Sequence, residues 1–399
     1  MEYKILYNLY YQDKTEYEKI YAERFNSETA IHLDYLINGQ RAFLYLHPAH
    51  YALIDTINKY DKKLAFVTKE LPTAALEQFV RDTLITEIKT TNDIEGVIST
   101  RQEIKAILDQ LANKKHERLY GMVNRYNFLM GQKNFELSTP ADIRKIYDDL
   151  VGEEVKQNDS KDQPDGTIFR SDNVFLYKAG GSLLHKGVYP EKEIISDISK
   201  ALNIVNNEEL IDLVRISVFH YLFGYIHPFY NGNGRVSRFI SSYLLSKNYT
   251  PLIAYRLSQQ IKSQKKMYYD AFEKTNDPKN KGDLGCFVYY FLSIIKEMMK
   301  STYDLLQGKL DQLKHYYELL EGCSLPEKEK ELIFLLIQSS LFSDDGFTID
   351  ELVAVYDQAK ISVRKKLSIL KEKNLLNISR QGHALLYRAN MQEVEKIKC

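Results

Sequence analysis

A mainly α-helical protein, with one short β-hairpin in its body and a carboxy-terminal module of three helices and a second hairpin, is the fold class this sequence predicts. Three observations carry the expectation. Apolar residues recur at spacings of three and four through most of the 399 residues, the signature of helices with one buried face. The clearest alternating stretch in the body lies at 174–189, around a glycine-bearing turn. The pattern then changes after 320–326, LEGCSLP, which reads as a linker.

Leu76, Phe79, Val80, Leu84 and Ile88 place a helix over 73–93, opened by Pro72 and Thr73 and ended near Gly96. Ser99 and Thr100 supply an amino-terminal cap for the next helix, through Ile104, Ile107 and Leu111. Helical spacing continues over 117–132 and 139–151, whereas 152–165, EEVKQNDSKDQPDG, is polar and aperiodic and reads as a surface loop. VFLY at 174–177 and LLHKGVY at 183–189 flank Lys178-Ala179-Gly180-Gly181-Ser182, a hairpin-length turn. Helices are expected over 190–203, 207–226, 234–247, 257–275 and 283–319. In the last segment a helix over 326–340, a turn at Asp344-Asp345-Gly346, the short helix TIDELVAVYD, the helix SVRKKLSILKEKNLL and a hairpin turning near Gly382 follow in the order of a winged helix-turn-helix.

The bulk numbers exclude several classes of function. Fifty-four basic and 54 acidic residues cancel, so no global field draws the chain to nucleic acid or to an anionic membrane. The longest apolar runs, such as 332–337, fall far short of a membrane span, and the first residues make a poor secretory signal. Cys286, Cys323 and Cys399 are few, odd in number and far apart, which suits a reducing compartment; the expected address is cytoplasmic. Length favours two or three domains.

The densest constraint is HPFYNGNGRVSR, 227–238. The helix before it is apolar nearly all round and delivers His227 to a loop, where Pro228 opposes helix and Phe229 can anchor inward. Gly232-Asn233-Gly234 permits a tight turn whose amides converge, and a new helix starts at about Asn233 to Arg235. A helix amino terminus is an anion site, and Arg235 and Arg238, three apart, share its face. Two guanidinium forks beside a nest of amides match two or three adjacent phosphates, and a neutral imidazole there can accept a proton.

This stretch resembles the Fic family signature, His-x-Phe-x-(Asp/Glu)-Gly-Asn-Gly-Arg-x-x-Arg, everywhere except at Asn231. The resemblance implies a Fic-type helical bundle with a hairpin flap, and transfer of AMP from ATP to a Ser, Thr or Tyr hydroxyl of a target protein. It implies that His227 takes the hydroxyl proton, that Gly232, Asn233 and Gly234 cradle the α- and β-phosphates, that Arg235 holds the β-phosphate and that Arg238 reaches the γ-phosphate. The family's acidic residue at the place of Asn231 ligates Mg2+, so a neutral carbonyl there implies weakened magnesium binding and reduced activity.

Upstream, Thr91-Asn92-Asp93-Ile94-Glu95-Gly96 resembles the family's inhibitory motif, Ser/Thr-x-x-x-Glu-(Gly/Asn), placed before the catalytic region. The resemblance implies that Glu95 pairs with Arg238 and blocks a productive ATP pose. In some relatives the same glutamate orients a water that removes AMP, so the direction of the reaction stays open. The hairpin at 174–189 falls where the family has its flap, which implies a docking edge for an extended target segment.

Basic residues crowd 360–373, with Lys360, Arg364, Lys365, Lys366, Lys371 and Lys373 against Glu372, and Val363, Leu367 and Leu370 facing inward. DNA is a candidate partner there, yet 325–399 holds 12 basic against 11 acidic residues, which weighs equally for a protein contact. The expected organisation is an amino-terminal extension over 1–70, a catalytic region over 71–320 with the inhibitory helix at 73–96, and a winged-helix domain over 325–399. A nucleotide-sensing DNA-binding regulator with little turnover is the alternative of a different class. Target, nucleotide preference and homo-oligomeric state are left open.

Overall fold

The computed structural model describes residues 3–397 except 114, 116, 132, 133, 178–180, 182, 344, 357, 382 and 383. Cys399, the tip of the body hairpin at 178–180 and 182, Asp344 and the Gly382 turn lie outside the described residues. The chain divides into two compact units, one formed by 1–61 with 85–300 and the other by 62–84 with 301–399. It is mainly helical, as expected, with three separate two-stranded antiparallel sheets among the described residues. No helix among them is long and apolar enough to cross a membrane.

The first unit begins with a segment the sequence pattern left unread. Helices α1 (Leu6–Gln12) and α2 (Lys14–Phe25) precede a hairpin of β1 (Ile31–Ile37) and β2 (Gln40–Leu44), followed by α3 (Pro48–Glu70), which runs on into the second unit. A buried ion pair ties this segment to the body: Arg24 Nη1 meets Asp283 Oδ2 at 2.9 Å, and the Tyr3 hydroxyl donates to the same oxygen at 3.1 Å. A charge removed from water needs such partners, which fixes where the segment packs.

Helix α4 (Thr73–Ile94) follows the predicted bounds and ends where Gly96 takes a left-handed φ of 74°, a conformation that glycine adopts at helix carboxy termini without steric cost. Next come α5 (Arg101–Asp109), capped by the Thr100 side chain on the Glu103 amide, then α6 (Tyr120–Met130) and α7 (Pro140–Tyr147), which opens on a Thr139/Asp142 capping box. The polar stretch after 151 is not a loop throughout: a π-turn over Asp148–Gly152 passes into α8 (Glu153–Asn158) and a 3-10 turn over Ser160–Asp162. Val151, Glu154 and Val155 face inward, so the helical spacing persists with a carboxylate standing at one of its buried positions.

The body hairpin is β3 (Phe175–Tyr177) and β4 (Leu183–Lys186), with Phe175 opposite Lys186 and Leu176 opposite His185. Helices α9 (Glu191–Val205), α10 (Asp212–Ile226) and α11 (Asn233–Asn248) then form the centre of the unit, and α10 is buried on nearly every side, as its all-round apolar composition predicts. The single helix expected over 257–275 is broken at Gln264 into α12 (Leu257–Ser263) and α13 (Lys265–Asn276). Helix α14 (Gly285–Glu321) starts in this unit and ends in the other.

In the second unit, α15 (Glu327–Phe342), α16 (Ile349–Tyr356) and α17 (Lys360–Glu372) are followed by β5 (Leu376–Gln381) and β6 (Ala384–Ala389), the predicted order. Val363, Leu367 and Leu370 are buried, and the Ala389 amide donates to Ser340 Oγ of α15 at 3.0 Å, which fastens the hairpin to the helices. Phe347 and Tyr387 exchange main-chain hydrogen bonds at 3.0 and 2.8 Å, adding a bridge to β6.

Candidate active site

The loop between α10 and α11 is built by its own sequence. His227 ends α10 in the left-handed region, φ 54°, with its amide still donating to Phe223 O at 3.0 Å; Pro228 forbids a further helical turn. Phe229 turns inward without exposure, its ring stacked on Tyr147 at 3.9 Å between centroids and edge-on to Phe169 at 5.4 Å. Asn233 closes the loop: Oδ1 accepts from the Phe229 amide at 3.0 Å and Nδ2 donates to the Phe229 carbonyl at 2.8 Å. Gly232, at φ 82°, then admits the tight entry into α11. The Asn233, Gly234 and Arg235 amides belong to the first turn of that helix, where no intrahelical acceptor exists.

A cavity opens on this turn. Its wall brings together Glu95, His227, Asn233, Gly234 and Arg238, with Ser237 beside them, while Tyr268, Tyr269, Phe272, Glu273 and Asn276 from α13 and Leu176, Leu184 and His185 from the hairpin line the remainder. The α13 side chains are site residues the sequence reading did not assign. A row of aromatic residues at helical spacing looks the same whether it packs a core or lines a cavity, so periodicity carried no signal for them.

Arg238, 1% exposed, is held by α4. Its Nε donates to Thr91 Oγ1 at 2.8 Å, and its Nη2 donates to the Thr91 carbonyl at 3.1 Å and to Glu95 Oε1 at 2.8 Å. The Glu95 side chain stays 25% exposed on its cavity side. Burial works to raise the Glu95 pKa, but the Arg238 guanidinium outweighs it and holds the group below the usual carboxylate range, so this is a charge-assisted pair. The carboxylate also lies against the first turn of α11: a Cβ added at Gly234 would sit 2.2 Å from Glu95 Oε1. Both the guanidinium and the positive end of the helix dipole therefore face one anionic group.

His227 is half-buried at the side of the same cavity. Its Nδ1 lies 3.4 Å from the Gly224 carbonyl, which can only accept, so the proton resides on Nδ1 and Nε2 is left as the basic nitrogen. Burial lowers its pKa to about 4, with His185 and then Arg170 acting in the same direction against the Gly224 hydrogen bond and Glu95. The ring is neutral and base-competent at neutral pH.

Arg235 is not brought to this wall. It is 1% exposed and pairs through Nη1 with Glu154 Oε2, itself 3% exposed, while its Nη2 donates to Asn231 Oδ1 at 3.2 Å. Glu154, too, was not assigned from the sequence. The signal was a four-residue step from Val151 to Val155, obscured by the polar residues around it.

Asn231 is committed at both ends of its amide, accepting from Arg235 and donating Nδ2 to Asp162 Oδ2 at 3.0 Å. Its one oxygen already faces a cation, so the residue does not fit the role of magnesium ligand, and among the described residues no group of three His, Cys, Asp or Glu side chains could hold a metal.

Residues 137–245, from α7 to α11, match the family model described as Fic/DOC family. A protein adenylyltransferase Fic of Drosophila ananassae is 25% identical over 257 residues, covering 62% of this chain and 46% of that protein. That of Culex quinquefasciatus is 24% identical over 312 residues, covering 75% and 57%. The chain thus spans about half the length of the curated relatives it matches. A Fic family protein from Desulfovibrio desulfuricans G20 shares the fold, with a TM-score of 0.52 over 86% of this chain and 97% of that one at 18% identity. Fold and loop together define a helical protein in which the first turn of α11 stands beside a histidine on one cavity. The chain carries a Fic/DOC family domain at 137–245.

Proposed function

We propose that the chain transfers AMP from ATP to a hydroxyl side chain of a target protein and that Glu95 holds this transfer in check. The observation that carries the reading is the meeting of His227, the first turn of α11 and the Arg238–Glu95 pair on one cavity. The target hydroxyl oxygen attacks the α-phosphorus, His227 Nε2 takes its proton, and the bond to the bridging oxygen breaks with its electrons leaving on pyrophosphate. The amides of Gly232, Asn233 and Gly234 bind the α- and β-phosphate oxygens as charge spreads over them, and Arg238 takes the γ-phosphate once Glu95 withdraws. Arg235 enters as a support for this turn, because its guanidinium is engaged by Glu154 and Asn231.

The flap exposes Phe175, Tyr177 and Leu183 for a target segment to cover, with main-chain pairing along the hairpin edge supplying register. In this organisation residues 71–320 carry the catalysis, 1–70 extend it, and 325–399 form a winged-helix domain. Incubation of wild type, Glu95→Gly and His227→Ala with α-labelled ATP tests the reading. Labelled protein should increase in the Glu95→Gly form and fall to background in Glu95→Gly/His227→Ala; no label in any form sinks it.

A second reading, a nucleotide-sensing DNA-binding regulator, is favoured by the exposed positions of Lys360, Arg364, Lys365 and Lys371 on α17. Salt-dependent duplex binding without AMP transfer selects it. A third direction, hydrolysis of AMP from a modified target with Glu95 orienting water, is distinguished by loss of label from pre-labelled target.

A further inference from the structure

Four arginines in the first unit are buried, and three of them face carboxylates: Arg24 faces Asp283, Arg235 faces Glu154 and Arg238 faces Glu95. Arg170, 0% exposed, forms no ion pair among the described residues. Its fork is spent on main-chain carbonyls instead. Nε donates to His227 O at 2.8 Å, Nη1 to Asp172 O at 2.5 Å, and Nη2 to Val188 O at 2.6 Å and Ile226 O at 3.4 Å. A buried cation that gives up a carboxylate partner is costly unless its hydrogen bonds are needed where they are.

Those four carbonyls belong to three pieces of chain. Asp172 lies just before β3, Val188 just after β4, and Ile226 with His227 at the end of α10. The main chain joins the same pieces: the Val188 amide donates to Ile226 O at 3.0 Å, and the Arg170 amide to Pro228 O at 3.2 Å. Gly187 makes room for the fork, since a Cβ there would sit 2.6 Å from Arg170 Nη2 and 3.3 Å from His227 Cβ. His227 itself is held in a left-handed conformation that a non-glycine residue keeps only when its surroundings over-determine it.

We infer that Arg170 is a positioning residue that locks the His227 main chain to both strands of the flap, so that the proton-accepting imidazole and a target segment on the hairpin share one rigid frame. This rests on the proposed transferase reading for what the flap carries, but the brace is a property of the chain itself. Its charge has a second effect, because an unpaired guanidinium beside the ring disfavours the imidazolium. The other charged or titratable groups on the cavity wall with His227 are His185 of the flap, Glu95 just past the end of α4, Arg238 of α11, and Tyr268, Tyr269 and Glu273 of α13.

The test uses the full chain carrying Glu95→Gly, with and without Arg170→Gln and Arg170→Lys, and reads two quantities. In steady-state AMP transfer, Arg170→Gln should lower kcat by about 10- to 100-fold, the scale of a misplacement of roughly 1 Å, with little change in the KM for ATP. In imidazole NMR titrations, with His227→Ala for assignment, Arg170→Gln should raise the His227 pKa, whereas Arg170→Lys should keep it low and still lose kcat. An unchanged titration in Arg170→Gln together with unchanged kcat overturns the inference. If Glu95→Gly itself transfers no AMP, the transferase reading fails and the titration alone decides the brace. Should Arg170→Gln not fold, Gly187→Ala displaces the fork from the other side with the charge retained; a kcat equal to that of its Glu95→Gly parent then overturns the proposal, and a loss supports it.

Discussion

Two arginine–carboxylate pairs lie three residues apart on α11, and they differ in one respect. The Arg235–Glu154 pair is sealed, with both side chains almost without exposure, whereas the Arg238–Glu95 pair opens on a cavity through its carboxylate. The same chemistry therefore serves two ends. In the sealed pair neither ion can be rehydrated if its partner is lost, so the pair behaves as a rivet between α8 and α11. In the open pair water or another anion can replace the carboxylate, so the pair can part without leaving both ions dry.

Stability measurements should separate the two most widely. Glu154→Gln leaves Arg235 buried without a counter-charge and should destabilise the chain by about 3–5 kcal/mol, read by chemical denaturation, whereas Glu95→Gln should cost no more than about 1 kcal/mol because its site admits water. Equal losses would break the distinction. Activity should respond the other way: Glu95→Gly is expected to raise AMP incorporation several-fold or more, and Glu154→Gln, where it folds, should not raise it.

The pH response sharpens the same contrast. His227 and His220 have folded-state pKa values lowered to about 4 and about 3, both chiefly by burial. Because the unfolded chain binds protons first as pH falls through the ordinary histidine value, their neutral burial contributes full stability above about pH 6.5 and loses it progressively toward about pH 4 for His227 and about pH 3 for His220. For the Glu95→Gly form, kcat/KM should accordingly hold level as pH is lowered past the ordinary imidazole value, its acid limb lying well below about pH 6.5. A limb at the ordinary value would mean that His227 is not buried as described. A smaller effect than that of Glu154→Gln is expected at Asn231. Asn231→Asp removes the amide donor to Asp162 and should cost about 1–2 kcal/mol, a loss that Asp162→Asn relieves. The double variant, with an acidic residue back at 231, should also raise AMP incorporation at limiting magnesium.

What was legible in the sequence was local. His227, Pro228, Phe229 and Gly232 each constrain the backbone within a few residues, so the loop, its inward anchor and the start of α11 could be read before any coordinates, and the Glu95–Arg238 pairing followed from the resemblance of two short motifs. Glu154 and Arg170 were not legible. Each acts on a partner tens of residues away, Arg235 and His227 respectively, and a charged residue in a polar stretch reads as solvated until its partner is seen. The broken helix at Gln264 and the packing of the first seventy residues escaped for a related reason, since both are decided by tertiary contacts rather than by propensity.

Gly234 places the Glu95 carboxylate and the cavity wall under a single constraint. Because the Glu95 carboxylate occupies the volume that any side chain at 234 would fill, a substitution there cannot displace Glu95 without also crowding the cavity between the first turn of α11 and Arg238. On the proposed reading, a change that opens the Arg238–Glu95 pair while keeping the cavity clear falls at the end of α4, at Glu95, rather than at the glycine it covers.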